Sequence, residues 1–262
     1  MRVREPGHNA SITEDRDLRD TWLMRTPIAH RGLHAARDGR PENSLAAFAR
    51  CCALGFPAEL DVRLTRDGRV VVFHDRTLRR LTGARGRVED HAVGDLRALR
   101  LLRTNQRIPR LEEVLELVDG RVPLLLELKS GAPPAALERA VVEALRGYRG
   151  EVAIQSFELR TVRELDRHEP PHAIGHLWRR RGIAASEDGV AFVGCHVDRA
   201  PRRAVQRRRA AGRVVLAWTV RSPDEAQRAL RFVDNYIFEG FVPPLAEAHP
   251  VSAPRSARRA VR

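Results

Sequence analysis

Short apolar runs alternate with segments of helical periodicity from about residue 26 onward. Eight such runs occupy residues 26–30, 58–62, 123–129, 151–157, 172–178, 190–196, 213–220 and 235–239. Strands that alternate with amphipathic helices are typical of βα units around a parallel sheet, and eight such units are typical of a closed barrel. The pattern therefore predicts an α/β protein with the (βα)8 TIM-barrel fold.

Between these runs, apolar residues recur at the i, i+3, i+4 and i+7 positions of a helix. Segments 45–52, 111–118 and 137–144 follow this spacing. In 222–225, Ser222 precedes a proline and stands three residues before a glutamate, which predicts the start of a further helix. One face of each helix is therefore expected to pack against the sheet.

One stretch departs from the alternation. Residues 63–75 predict a strand, a turn and a second strand, and the arginine-rich residues 76–107 predict a small insertion on the barrel rim after the second strand. The polar ends, 1–24 and 249–262, are expected to be disordered, and the second of them is basic. Residues 25–248 are therefore expected to form a single barrel domain.

An open doubly wound sheet is the alternative fold. Such a sheet would place a glycine-rich phosphate loop after the first strand. The corresponding segment, AHRGLHAARDGRPENS at 29–44, has no GxGxxG pattern. The sequence therefore favours the barrel.

The chain is strongly basic, with a formal net charge of +13. Of its 47 lysine and arginine residues, Lys129 is the only lysine, and the arginines are scattered along the chain. Only 5% of residues are aromatic, whereas proteins that bind single-stranded nucleic acids stack bases on aromatic side chains. The charge is therefore interpreted as a compositional habit and not as a specific nucleic-acid site, and transient contact with an anionic membrane surface stays open.

The cysteines and the apolar runs bear on the compartment. Cys51, Cys52 and Cys195 are an odd number, and two are adjacent in a predicted helix, so no disulfide framework is visible. The first twenty residues contain no apolar signal region, and no run approaches the ~18 apolar residues of a membrane span. A cytoplasmic protein without a transmembrane segment is expected, and the sequence does not indicate its oligomeric state.

Two predicted strands end in pairs of charged residues. Residues i and i+2 of a strand face the same way, so Glu59 points with Asp61, and Glu127 with Lys129. At the carboxyl ends of barrel strands these side chains should meet at the mouth, where barrel enzymes work. Carboxylate oxygens are hard ligands, and no cysteine or histidine cluster has zinc spacing, so one Mg²⁺ or Ca²⁺ ion is the expected cofactor.

Two histidines, His30 and His74, end the first strand and the second arm of the strand–turn–strand segment. Imidazole titrates close to neutral pH, which suits an acid/base pair. Arg31 and Lys129 add positive charge near the same centre. A divalent cation, two cationic side chains and two imidazoles together indicate hydrolysis of a phosphate ester.

Seven motifs in this order resemble the glycerophosphodiester phosphodiesterase family of TIM-barrel phosphodiesterases. They are IAHRG (28–32), PENSLAAF (41–48), ELDVRLTRDGRVVVFHD (59–75), IPRLEEVLELV (108–118), LLLELK (124–129), QSF (155–157) and AWTV (217–220). The resemblance covers roughly residues 26–245. It implies hydrolysis of a small glycerophosphodiester to an alcohol and glycerol 3-phosphate, in some members through a cyclic phosphate.

The resemblance also implies roles for individual residues. These are acid/base catalysis by His30 and His74, cation binding by Glu59, Asp61 and Glu127, phosphate contacts by Arg31 and Lys129, a site carboxylate at Glu42, and an alcohol pocket walled by Phe157 and Trp218. Two departures from the family pattern stand out. Ser44 occupies a position where threonine is commoner, and Glu239-Gly240 replaces a common Thr-Asp pair. Glu239 is expected to contact substrate or to pair with an arginine, and whether His176 and His196 line the pocket stays open.

Three other functions stay open. A lysophospholipase D-type reaction, or another phosphodiesterase reaction, would use the same residues. A barrel glycosidase would need only Glu59 and Glu127, which leaves both imidazoles, Arg31 and Lys129 unexplained. A basic surface-binding protein without catalysis would bind polyanions in a strongly salt-dependent way.

Overall fold

A closed barrel of eight parallel strands forms the centre of the protein, in a computed structural model that describes residues 18, 21–133, 135–168, 170–178 and 190–245. The strands are β1 (Ile28–Ala29), β2 (Ala58–Leu64), β3 (Val70–Val72), β4 (Leu124–Leu128), β5 (Val152–Ser156), β6 (Ala173–Trp178), β7 (Phe192–His196), β8 (Val214–Val220) and β9 (Asn235–Phe238). All except β3 belong to the barrel, and β1 pairs with both β2 and β9 to close it. The predicted TIM-barrel fold is confirmed.

Helices surround the barrel. They are α1 (Trp22–Arg25), α2 (Leu45–Leu54), α3 (Arg79–Thr82), α4 (Val93–Ala98), α5 (Leu111–Val118), α6 (Ala136–Ala144), α7 (Leu159–Arg167), α8 (Arg203–Ala210) and α9 (Pro223–Leu230). The Ser44 hydroxyl accepts a bond from the Ala47 amide at 3.3 Å, and Ser222 accepts from Glu225 at 3.2 Å. Both caps satisfy amides that a helix start leaves free. Within the described ranges, no helix combines the length and the apolar character needed to cross a bilayer.

Alternate residues of each barrel strand enter two different apolar layers. Leu60, Leu126 and Leu128 face outward and pack with helix residues such as Phe48 and Val114. Residues of the opposite parity form a second apolar cluster at the barrel floor, which includes Ile28, Leu125, Phe192, Leu216 and Ile237. This parity leaves the polar residues at the carboxyl ends facing the mouth.

The amino-terminal segment covers the floor of the barrel. Leu18 and Leu23 are 5% and 1% exposed and belong to the floor cluster. The Asn235 side-chain amide donates to the carbonyls of Leu23 and Thr26, at 3.0 and 2.7 Å. The expected disorder of 1–24 is therefore wrong for residues 18 and 21–24, because an apolar barrel floor would otherwise face water. Residues 1–17, 19 and 20, like the expected disordered tail at 249–262, lie outside the described residues.

The predicted rim insertion has its own small core. β3 pairs antiparallel with β2, and residues 76–107 continue through α3, α4 and two short 3-10 turns. Its apolar cluster consists of Val71, Phe73, Leu78, Leu81, Val88, Leu96, Leu101 and Ile108. Since Val71 lies in β3 and Phe73 directly follows it, the insertion is anchored to the hairpin beside the mouth.

Candidate active site

Three buried carboxylates converge at the mouth of the barrel. Glu59 and Asp61 lie on β2, and Glu127 lies on the adjacent β4 in direct register with Asp61. Ligand oxygens of the three lie within 4.8 Å of one another. The i, i+2 spacing of each strand and the register between the strands thus produce a compact cluster of acidic side chains.

Two cationic side chains neutralise part of this cluster. The Lys129 ammonium lies 2.8 Å from Asp61 Oδ1 and also donates to Glu127. The Arg31 guanidinium lies 3.3 Å from Asp61 Oδ2, and the Arg31 amide donates to Glu59 Oε2 at 2.8 Å. Glu59 Oε1 is buried and accepts no hydrogen bond from the described residues. One carboxylate oxygen in the cluster is therefore left for a ligand.

The three carboxylates differ in the direction of their pKa shifts. Burial, together with the charges of Asp61 and Glu127, raises the pKa of Glu59 well above its ordinary value. Burial also raises the pKa of Glu127, to about 6. The pKa of Asp61 is lowered despite its burial, because Lys129 and Arg31 lie beside it. The cluster therefore holds more carboxylates than the two cationic side chains stabilise as anions.

These residues suit a divalent cation. Three hard oxygen donors at one point, one of them without a hydrogen-bond partner, match the ligand preference of Mg²⁺ and Ca²⁺. A bound cation would favour the anionic forms of Glu59 and Glu127 and so counteract the burial and the repulsion that raise their pKa values.

A carboxylate holds His30 from outside the cluster. Glu239 Oε2 lies 2.6 Å from His30 Nδ1, and Glu239 Oε1 lies 2.8 Å from Arg221. Burial lowers the pKa of His30, against the opposing effect of the Glu239 hydrogen bond. That same hydrogen bond holds the pKa of Glu239 well below its ordinary value. Both Glu239 oxygens are thus engaged by protein groups, which matches the expectation of pairing with an arginine.

The second histidine has an equivalent partner. His74 Nδ1 lies 2.7 Å from Asp75 Oδ1. The Arg63 guanidinium donates twice to the His74 carbonyl, at 2.9 and 2.7 Å, and once to the Ser130 carbonyl at 2.9 Å. Burial lowers the pKa of His74. In both histidines the carboxylate occupies Nδ1, so Nε2 is the nitrogen available for proton transfer.

Sequence reasoning missed Asn43. Its side-chain amide donates to Asp61 Oδ2 at 2.8 Å, and its amide oxygen accepts from the Asp61 backbone at 3.3 Å. Asn43 and Arg31 both adopt left-handed backbone conformations, with φ of 56° and 55°. Such conformations are uncommon outside glycine and tend to occur at functional sites. The PEN motif was the available signal, but it drew attention to Glu42 alone.

Glu42 lies in an ion-pair network at the edge of the site. Its Oε1 accepts from Arg31 at 2.6 Å and from Arg80 at 2.7 Å, and its Oε2 accepts from Arg80 at 2.7 Å. Arg80 lies on α3 of the rim insertion and is a second residue that sequence reasoning missed. Glu42 thus connects the insertion to Arg31 and, through it, to the acidic cluster.

Aromatic rings also line the mouth, at the carboxyl ends of β5, β7 and β8. Phe157 and His196 both make edge-to-face contacts with Trp218, at centroid distances of 5.2 and 5.3 Å. His196 therefore lines the mouth. His176 shares the parity of Ile174 and Trp178, which pack toward the helices, so it faces away from the mouth. A cavity of about 300 Å³ beside His74, Lys129 and Phe157 is large enough for a small polar substrate group.

The raised pKa of Glu127 predicts how stability depends on pH without a cation. Its pKa lies at about 6 in the folded protein, against an ordinary 4.5. The associated stability is fully present below 4.5 and is lost as pH rises through 6. The measured quantity is the free energy of unfolding of the wild type minus that of Glu127→Gln, both in EDTA. This difference should increase by up to about 2 kcal/mol when the pH is lowered from 7.5 to 4.5.

Denaturant unfolding of both proteins at several pH values measures this difference. Since glutamine does not titrate, subtracting the variant removes contributions common to both, including those of the histidines. A difference that stays flat or decreases on acidification would contradict the prediction.

Known proteins resemble this chain in sequence and in fold. The sequence model of the "Glycerophosphoryl diester phosphodiesterase family" matches residues 30–235. A "Glycerophosphodiester phosphodiesterase" of Caldanaerobacter subterraneus is 36% identical over 165 residues, which are 58% of this chain and 66% of that protein. The "Probable glycerophosphodiester phosphodiesterase 2" of Mycobacterium tuberculosis is 33% identical over 76% of this chain and 81% of its own length.

Solved structures agree. A phosphodiesterase of Oleispira antarctica, in complex with the product sn-glycerol-3-phosphate, superimposes with a TM-score of 0.74 and 25% identity, over 83% of this chain and 93% of that one. Residues 30–235, which the family model matches, contain the acidic cluster, both histidines and the rim insertion. The chain belongs to the glycerophosphoryl diester phosphodiesterase family.

Proposed function

We propose that this protein uses one water molecule to hydrolyse a glycerophosphodiester to an alcohol and glycerol 3-phosphate. One observation carries the proposal: Glu59, Asp61 and Glu127 form a buried acidic cluster with the geometry of a cation site, at a barrel mouth that also holds His30 and His74, each with a carboxylate on Nδ1. A relative with 25% identity binds sn-glycerol-3-phosphate as its product, which supports the same product here.

The cation is proposed to be Mg²⁺ or Ca²⁺, held by Glu59, Asp61 and Glu127. When bound, such an ion supplies positive charge that stabilises the phosphoryl oxygens as negative charge builds up on them. Arg31 and Lys129, which already contact the carboxylates, are proposed to contact the remaining phosphoryl oxygens. A compact ammonium suits this position, because it binds as a point charge where a planar guanidinium needs more room.

The two histidines are proposed to divide the proton transfers. Through Nε2, one histidine accepts the proton of the attacking hydroxyl group, which belongs to water or to the glycerol group of the substrate. The other histidine donates a proton to the departing alkoxide. Burial lowers both pKa values, which favours the neutral base, while Glu239 and Asp75 stabilise the protonated ring. Each ring therefore has one influence that favours its neutral form and one that favours its protonated form, as a group that both accepts and donates a proton requires.

The remaining residues are proposed to shape the pocket. Phe157 and Trp218 form an aromatic wall for the alcohol group of the substrate. Glu42 holds Arg31. Glu239 is proposed to act mainly through His30 and Arg221, because these residues occupy both of its oxygens.

Product analysis tests the proposed reaction. Purified protein with Mg²⁺ or Ca²⁺ is expected to convert glycerophosphocholine to choline and glycerol 3-phosphate, each measured separately. Release of glycerol and phosphocholine would show cleavage of the other ester bond and would contradict the proposal. No product with either ion would contradict it as well.

A lysophospholipid is the second candidate substrate. A cavity of about 730 Å³ adjoins Glu239 and His34, and its lining includes the apolar Leu33, Phe241 and Val242. Such a lining suits an acyl chain attached to the glycerol group. Lysophosphatidylcholine in the same assay separates the two cases: if choline release has a higher kcat/KM for lysophosphatidylcholine, the lysophospholipase D-type reaction is the principal one.

A further inference from the structure

Arg80 of the rim insertion binds two carboxylates at the edge of the site. Its Nη1 and Nη2 each donate to Glu42 at 2.7 Å. Its Nε and Nη2 donate to Asp75, at 2.6 and 2.9 Å. A guanidinium presents its donors in a fixed planar fork, so two bidentate pairs determine the relative positions of both carboxylates.

Each of these carboxylates in turn holds a group at the mouth. Asp75 Oδ1 lies 2.7 Å from His74 Nδ1. Glu42 Oε1 lies 2.6 Å from the Arg31 guanidinium, which lies 3.3 Å from Asp61. Hydrogen bonds from Arg80 and His74 hold the pKa of Asp75 at about 2 despite partial burial, so Asp75 is an anion at neutral pH. One arginine thus connects two otherwise separate parts of the site.

The insertion gives Arg80 a fixed base. Leu78 and Leu81, on either side of it, are buried in the insertion's own apolar cluster. The Thr82 hydroxyl donates to the Leu78 carbonyl at 2.8 Å, which closes the short α3 turn. Arg79, on the same turn, is exposed and takes no part in the network. The buried neighbours therefore present Arg80, and not Arg79, to the site.

We infer that Arg80 is a positioning residue that fixes His74 through Asp75 and Arg31 through Glu42. Through Arg80, the rim insertion contributes to the geometry of the active site. The inference rests on the proposed function, because it concerns the geometry of an acid/base histidine in that reaction. Nothing in the position of Arg80 requires that it touch the substrate.

Steady-state kinetics test the inference, with glycerophosphocholine as substrate and saturating Mg²⁺. Arg80→Gln is expected to lower kcat about 10–100-fold, because misplacement of a catalytic group has effects of this size. KM should change less than kcat, since Arg31, which Arg80 reaches only through Glu42, keeps its own contact with Asp61. Arg80→Lys should recover little of the activity, because an ammonium cannot form two bidentate pairs. The control Arg79→Gln removes the same charge from the same turn and should match the wild type.

A double-mutant comparison identifies the route. Because Arg80 also holds Glu42, adding Arg80→Gln to Asp75→Asn should still lower kcat, but by a smaller factor than Arg80→Gln does in the wild type. Independent effects that multiply would contradict positioning through Asp75. A kcat of Arg80→Gln equal to that of Arg79→Gln would overturn the inference altogether.

A spectroscopic measurement makes the inference independent of turnover. In ¹⁵N spectra of the imidazole groups, the His74 signals, assigned by their absence from His74→Ala, should show a hydrogen-bonded Nδ1–H in the wild type and in Arg79→Gln. Arg80→Gln and Arg80→Lys should lose or weaken it. Unchanged His74 spectra in both Arg80 variants would overturn the inference even if glycerophosphocholine is not a substrate, whereas absent hydrolysis with the expected spectral change would contradict only the proposed function. Cooperative thermal unfolding of each variant verifies its fold.

Discussion

Replacing His74 or His30 with alanine is expected to lower kcat for glycerophosphocholine by about 10²–10⁴-fold, because each variant lacks one of two positioned proton-transfer groups. Each ring has its own carboxylate partner: His30 is held by Glu239 at 2.6 Å and His74 by Asp75 at 2.7 Å. KM is expected to change much less, since the cation and the positive side chains make the phosphate contacts. Steady-state kinetics with saturating cation provide the measurement.

The control for these variants is His91→Ala. His91 belongs to the rim insertion, and its ring Nδ1 forms a hydrogen bond with the Arg87 carbonyl, at 2.8 Å. This variant should retain wild-type kinetics. If either active-site variant kept kcat within about threefold of the wild type, that histidine would have no acid/base role.

Loss of the cation is expected to have an equally large effect. Chelation by EDTA should reduce hydrolysis to the background rate, and Glu127→Gln should do so at cation concentrations that saturate the wild type. Glutamine keeps the shape of Glu127 but removes one of three anionic donors. Activity measured against the concentration of Mg²⁺ and, separately, of Ca²⁺ determines which ion supports turnover.

Thermal and chemical unfolding give a second measure of the same site. A cation that binds only the folded chain should stabilise the wild type by about 2.7 kcal/mol at 100 times its Kd, whereas Glu127→Gln should show little stabilisation at that concentration. Glu143→Gln, which removes an exposed carboxylate from α6, is the matched control and should respond like the wild type. Equal stabilisation of the wild type and Glu127→Gln would show that the ion binds elsewhere.

The main elements of the fold could be predicted because burial imposes periodicity on the sequence. The eight barrel strands lie where apolar runs indicated them, and Ser44 and Ser222 cap helices as their spacing suggested. The amino-terminal segment could not be predicted in the same way. Leu18 stands alone in a polar stretch and Leu23 belongs to a run of only three apolar residues, and they become core residues only because the closed barrel exposes an apolar floor.

The candidate site shows the same division. Strand parity pairs Glu59 with Asp61 from local geometry alone, whereas Glu127 joins them through the predicted barrel, which places the ends of both strands at one mouth. Asn43 comes from a loop and Arg80 from a short helix of the rim insertion, and the positions of both depend on tertiary contacts. Arg80 in particular has no sequence signal that separates it from the many other arginines of this chain. Its two bidentate contacts exist only once the rim insertion has packed on its own cluster.

The single lysine has a practical consequence for chemical modification. Lys129 is the only side-chain amine of this chain, and it lies between Asp61 and Glu127 with 12% of its side chain exposed. Those two carboxylates raise its pKa and keep it protonated, a form that does not attack acylating reagents. On the folded protein, amine-directed dyes or cross-linkers should therefore react at the α-amino group and leave the barrel mouth unmodified. Acylation of Lys129 would accordingly be a direct chemical signal that the mouth of the barrel has opened.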